Sequence, residues 1–325
     1  MKLIPRIAIA LLGALLLVAP VVAVAQNLPS LRMATGGEKG TYYAMSINMA
    51  TYCGQGLSLQ VQKTGGSDDN IERLTSSNKA DIGIVQKDIL FKRLNFNRDT
   101  AIGNLLTVMP LHYEAMHVVA LEKSGLTKFS ELGSVKGGIM GYGAKAAKKV
   151  GVYGGSIESA EIIRDMSGVN FEIVVVENID AALATMNESR IDAILAMGGT
   201  PLSWVDEKLK RGQHRLLAFD QPMEKVERAY RRASITYTKL GVNALPTIAT
   251  DAVLVTRNFT SAEKVRAVSL LRKCIQTELT RMQEADDTHG QWGNVQKDGQ
   301  VSGWAVFPGM QVTWPPAGNE SPRRR

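Results

Sequence analysis

Residues 57–74 read LSLQVQKTGGSDDNIERL, and this stretch decides the fold. Leu57, Leu59 and Val61 alternate as a half-buried strand should. The run ends in Thr64-Gly65-Gly66-Ser67, with Ser67 placed to cap a helix. Asp68, Asp69 and Glu72 fall in its first turn, where carboxylates complement the helix dipole. The same local pattern recurs along the chain. Leu31–Ala34 leads into Thr35-Gly36-Gly37 and a helix with Tyr43, Ile47 and Ala50 as its apolar positions. Lys149–Tyr153 leads into Gly154-Gly155-Ser156 and a helix that buries Ile162 and Ile163. Ile191–Ala196 leads into Met197-Gly198-Gly199-Thr200. Further strands are expected at Asp81–Gln86, Val118–Leu121, Phe171–Val176 and Ala252–Thr256, and helices at Ile179–Met186 and Ala262–Met282. Strands alternating with helices predict an α/β fold with mostly parallel sheets.

In such sheets ligands bind beyond the carboxyl ends of the strands. Glycine there lets a ligand approach the backbone, and the free N–H groups of a helix start favour a carboxylate or phosphate. One Gly-Gly pair reads equally as a tight turn; four in one chain point to a cleft holding a small anion. Signatures of catalysis are missing from the sequence. Gly141-Tyr142-Gly143 lacks the third glycine of a dinucleotide fingerprint, and no Gly-x-Ser-x-Gly elbow occurs. His112, His117, His214 and His289 are scattered without a Cys or carboxylate at ligand spacing, so neither a metal nor a cofactor is expected.

The chain has 325 residues, 45% of them hydrophobic, and a formal charge of +7. Its basicity lies at the ends. Lys2, Arg6 and Arg323 to Arg325 aside, 33 basic residues face 31 acidic ones, which leaves no nucleic-acid footprint. Lys2 and Arg6 precede an apolar run from Ile7 to Val24, and Ala23-Val24-Ala25 offers small residues for cleavage. That is the pattern of a cleavable export signal, cut after Ala25, and it predicts a periplasmic protein. Two cysteines remain, Cys53 and Cys274; an oxidising compartment admits a disulfide between them, and two free thiols are the alternative.

At Ala34-Thr35-Gly36-Gly37-Glu38-Lys39-Gly40-Thr41-Tyr42-Tyr43 the chain resembles the TAXI family, the solute-binding proteins of TRAP (tripartite ATP-independent periplasmic) transporters. The resemblance continues through Thr64–Ser67, Asn70–Leu74, Ala80–Asp88, Tyr153–Ser156 and Ile191–Ala193 with the following Gly-Gly. It implies a two-lobed, periplasmic-binding-protein-like fold of type II, with the ligand held in a cleft between the lobes. It also implies no catalysis, a membrane permease as partner, and acidic amino acids and dicarboxylates such as glutamate and 2-oxoglutarate as ligands. Carried over by position, the ligand residues are Gly36, Gly37, Thr41, Tyr42, Tyr43, Gly66, Ser67, Gln86, Asp88, Gly154, Gly155, Ser156, Gly199 and Trp204. The nearest local readings are a buried Tyr42 or Tyr43, helix caps at Ser67, Asp88 and Ser156, and packing at Trp204. Three features depart from the family pattern: Glu38-Lys39, Lys87, and the stretch Gly137–Lys148, which looks like an insertion. Lys39 would attract an acidic ligand and Glu38 would repel one.

The resemblance implies lobe I at residues 26–115 with 250–310 and lobe II at 116–249, with a disordered tail at 311–325. The chain is expected to cross between lobes at Leu111–Val119 and again at Ala244–Val253. Cys53 and Cys274 then share lobe I, where a disulfide would staple its first and last helices. The reading is a monomeric binding protein for a small organic anion, not an enzyme. A ligand-sensing module for a membrane receptor and a periplasmic enzyme on the same scaffold are its rivals.

Overall fold

The computed structural model describes residues 28–76, 78–135 and 145–316. The expected export signal, most of the Gly137–Lys148 stretch and residues 317–325 of the expected tail lie outside the described residues. The first half is built from β1 (Ser30–Ala34), α1 (Thr41–Cys53), β2 (Ser58–Gln62), α2 (Ser67–Thr75), β3 (Ile82–Gln86) and α3 (Lys87–Asn95). A 17-residue strand, β4 (Leu105–Leu121), then carries the chain into the second half. There follow β5 (Lys149–Val152), α4 (Ser156–Ser167), β6 (Glu172–Val175), α5 (Ile179–Asn187), β7 (Ala193–Gly198), α6 (Ser203–Lys208), β8 (His214–Leu216) and β9 (Arg231–Tyr237). The 16-residue β10 (Val242–Arg257) returns the chain to the first half, which α7 (Ala262–Glu284) completes.

Strand order shows why the molecule is two-lobed. The first half runs β2-β1-β3-β10-β4, and the second runs β6-β5-β7-β4 with β8 on the far side of β4. Each half therefore places a long strand arriving from the other half beside its third strand. The change of partner falls at one residue: Ala115 pairs with Ala249 of β10 on one side and with Gly198 of β7 on the other. The sheet is mixed rather than mostly parallel, because β4 and β10 run antiparallel to all their neighbours. Only the last part of each long strand was expected; β4 is buried along nearly its whole length, and β10 from Thr247 onward. A strand covered on two faces shows no alternation to read.

Helix α1 buries Met45, Met49 and Cys53, not the expected Tyr43, Ile47 and Ala50; Ile47 is 41% exposed. Both sets repeat at helical spacing, so rotation is decided by α7, which packs on α1 and is bonded to it through the Cys53–Cys274 disulfide. Helices α4 and α7 bury the expected Ile162 and Ile163, and Val268, Leu271 and Ile275. Beyond α7 the chain does not leave the body. Trp292 and Phe307 are buried, and Ala305 and Phe307 hydrogen-bond to Thr107 along the open edge of β4. Part of the stretch expected to be disordered is likewise packed: Trp314 lies buried against Gly56. Its indole, apolar and large, contributes more by burial than the flanking prolines lose by lacking N–H groups. Among the described residues no helix is long and apolar enough to cross a membrane.

Candidate functional site

All four Gly-Gly junctions open onto one cleft of about 830 Å³ between the halves. Helices α1, α2 and α4 start there, with Gly40, Gly66 and Gly155 at their N-caps, and none has a side-chain cap. In α1 and α2 this leaves the first N–H groups for a ligand. In α4, Ser156 and Ile157 N–H donate to Tyr153 O and Gly154 O at 3.2 Å, and only the dipole end faces the cleft. Gly66 and Gly154 have φ of 111° and 54°, conformations that other residues adopt only with strain. Of the fourteen residues expected at the ligand, all but Tyr43 and Asp88 line this cleft. Tyr43 follows Tyr42 by about 100° around α1, which turns it out of the lining.

Ser67 and Ser156 line the cleft, but neither is a cap. Each is the first helical residue, and its Oγ accepts an N–H from a neighbouring strand: Gln86 at 3.0 Å for Ser67, Met197 at 3.0 Å for Ser156. Glycine holds the N-cap positions, and the serine hydroxyls are used to tie helix start to strand end. The serine thus plays the same part in both halves, although positive φ falls on the second glycine of one pair, Gly66, and on the first of the other, Gly154.

The fourth junction differs. No helix starts at Gly199; Thr200, the cis-linked Pro201 and Leu202 come first, and α6 follows. The missing side chain of Gly199 is replaced by Gln291, whose amide would lie 2.2 Å from a Cβ built there. Trp204 is 7% exposed, and its Nε1 has no hydrogen-bond partner. Leu202 N–H donates to the Tyr237 hydroxyl at 2.8 Å, and that hydroxyl lies 2.7 Å from His117 Nε2. Burial pushes His117 down to about 4, so the neutral ring donates from Nδ1 to Ala115 O and accepts from Tyr237 at Nε2. This chain of bonds couples the cis-proline loop to the residue where β4 changes partner.

Several lining residues escaped the sequence reading. Glu114 is the most consequential: it stands on β4 one residue before the partner change and is 7% exposed. Its Oε2 accepts from Gln86 Nε2 at 2.7 Å, and its Oε1 lies 3.3 Å from His112 Nε2. A lone carboxylate in the apolar run Leu111–Val119 was the available signal. Above it the Tyr42 hydroxyl is buried without a hydrogen-bond partner; burial first, and then the Glu114 charge, holds that phenol well above its usual range. Burial likewise pushes the lining residue Tyr153 up to about 12, so both phenols stay neutral. His289, Gly290 and Gln291 arrive from beyond α7, where no local pattern marks them. Glu38 is not in the lining: it sits 3.6 Å from Lys63 on the surface, whereas Lys39 does line the cleft. Among the described residues no group of three His, Cys, Asp or Glu is placed to hold a metal ion.

Asp88 lies outside the cleft lining and joins the halves behind it. From α3 its Oδ2 accepts hydroxyls of the second half, Ser159 at 2.6 Å and Tyr230 at 2.7 Å. Burial pushes its carboxyl up to about 6 against those bonds, and the Glu114 charge adds to the push. On the opposite side Gln291 and Asn294 reach the Thr200 carbonyl at 3.4 and 3.3 Å. Asp88 gives a prediction of definite sign. Between pH 4 and 6 the folded protein keeps a proton that the unfolded chain has released, so this group's contribution falls as pH rises. Relative to an Asp88→Asn variant, the wild type should lose about 2.4 kcal/mol from pH 4 to pH 7. Urea unfolding of both proteins at the two pH values measures the difference, and a parallel response would refute the assignment.

Comparison with known proteins follows from this geometry. No curated protein matches the sequence significantly. Among solved structures, a Bordetella bronchiseptica RB50 protein is 14% identical with TM-score 0.50, covering 84% of this chain and 85% of its own. The GluR0 ligand-binding core of Nostoc punctiforme, solved with L-glutamate, is 12% identical with TM-score 0.47, over 81% and 95%. The substrate-binding protein of an amino acid ABC transporter is 12% identical with TM-score 0.47, over 81% and 96%. At these identities the likeness is one of fold. The family profile is more specific: it matches residues 33–304, a span that holds all four Gly-Gly junctions, Glu114 and Gln291. The chain belongs to the NMT1-like family.

Proposed function

We propose that this protein is a periplasmic solute-binding protein that closes its lobes on a small organic anion and delivers it to a TRAP-type permease. One observation carries the reading: three helix N-termini without side-chain caps, from both halves, converge on a cleft large enough to enclose a small metabolite, two of them with free N–H groups. The TAXI-like motifs at Ala34–Tyr43, Thr64–Ser67 and Ala80–Asp88 support the transporter class. The leader pattern and the disulfide support an oxidising compartment. The partner change at Ala115 and Ala249 supports lobes at 26–115 with 250–310 and at 116–249. Closure is then a ligand-driven population shift about β4 and β10, without chemistry.

A thermal-shift panel of acidic amino acids, dicarboxylates and 2-oxo acids tests the proposal. At ligand concentrations near 100 times the dissociation constant, stabilisation of about 2.7 kcal/mol is expected from at least one compound. A flat panel would remove the anion reading.

A further inference from the structure

The charges in the cleft do not suit a dianion. Lys39 stands on the first loop, among the helix starts that would hold a carboxylate. Glu114 stands on β4, where the two halves meet, and its side chain is 9% exposed. Burial holds His289, the histidine in the lining, below its usual range and therefore neutral. A second ligand carboxylate, or a keto oxygen, placed against Glu114 would set acceptor against acceptor away from water. An N–H group placed there would instead be accepted by a buried carboxylate, the stronger kind of hydrogen bond. Gln86 already gives its Nε2 to Glu114, and its Oε1 lies 3.7 Å from the position of a Gly155 Cβ, so it offers a second acceptor. The unpartnered Tyr42 hydroxyl and Trp204 Nε1 are donors for the carboxylate end.

We infer that the cleft selects an α-amino acid over the matching 2-oxo acid, with Glu114 as the specificity-determining acceptor of the ligand's ammonium group. The inference rests on the small-anion reading above and narrows it. Selection of this kind is a difference between two affinities, and Glu114 acts mainly by rejecting the oxo acid. A site built to receive an N–H discriminates strongly against an analogue that lacks it.

Calorimetric titration with pairs sharing a carbon skeleton tests this: L-glutamate with 2-oxoglutarate, L-aspartate with oxaloacetate, and L-leucine with its 2-oxo acid. In whichever pair binds, the amino member should be at least about tenfold tighter. In Glu114→Gln the preference should shrink to within about threefold, chiefly because the oxo acid gains. Equal or tighter binding of the oxo acid by the wild type overturns the inference alone, and needs no variant to fold. An unchanged preference in Glu114→Gln overturns the role of Glu114. If no member of any pair binds while another compound of the acid panel does, the inference falls and the small-anion reading stands; if nothing binds, both fall.

Discussion

Gly155→Leu should abolish ligand binding while leaving the free protein folded. Gly155 has φ of −64°, an ordinary helical value that leucine adopts without strain. Its absent Cβ would meet only Gln86 Oε1, at 3.7 Å, an ordinary contact. The rest of the side chain would project into the cleft over the start of α4, across from Gln86. Nothing in the core is displaced, so the melting temperature without ligand should change by no more than about 2 °C. Binding, by contrast, loses both the space and the close approach to the positive end of the α4 dipole. A fall of at least about 100-fold, near 2.7 kcal/mol, is expected for the tightest compound of the acid panel. Gly154→Leu makes the contrast. Gly154 has φ of 54°, so leucine there should cost about 1–2 kcal/mol of stability. If Gly155→Leu binds within threefold of wild type, the helix N-termini do not hold the ligand at that junction.

Punctuation was legible in the sequence, and partnership was not. Strand, Gly-Gly and helix succeed one another within 15 to 18 residues, so Leu57–Leu74 and Lys149–Ile163 announce themselves locally. The stripe of α1 was misplaced because Tyr43, Ile47 and Ala50 fit a helix as well as Met45, Met49 and Cys53; the α7 contact chooses between them. The long strands hid for another reason. Each is covered on both faces where the halves join and carries a proline, Pro110 or Pro246, that argues against strand. Gln291 is the clearest limit. It fills the space left by Gly199, yet 92 positions separate the two, and no spacing in the sequence pairs them. Glu114 was within reach, since an unexplained carboxylate in an apolar strand is the kind of exception that marks a site.

Removing the Cys53–Cys274 disulfide should lower stability sharply without loosening the ligand. The two sulfurs join residues 221 positions apart, so the crosslink restricts most of the unfolded chain. Loop-closure entropy for such a span, reduced to what natural disulfides deliver, gives about 4 kcal/mol. For a chain of this size that corresponds to a fall of about 6 °C in melting temperature. Both cysteines are fully buried, so a Cys53→Ala, Cys274→Ala pair is preferable to serine, which would add unsatisfied hydroxyls. Affinity should survive because of where the bond lies. Cys53 ends α1, about 18 Å along the helix from Thr41 at the cleft, and Cys274 lies in α7, outside the lining. The bond therefore holds α1 and α7 together and, on the proposed lobe boundaries, does not act across the hinge. Scanning calorimetry of the alanine pair, and of wild type under strong reductant, should give the same lowered midpoint. Affinity for the tightest panel compound should stay within about twofold at a temperature where both proteins are folded. A large loss of affinity at that temperature would mean that the crosslink also sets the position of the α1 N-terminus in the cleft.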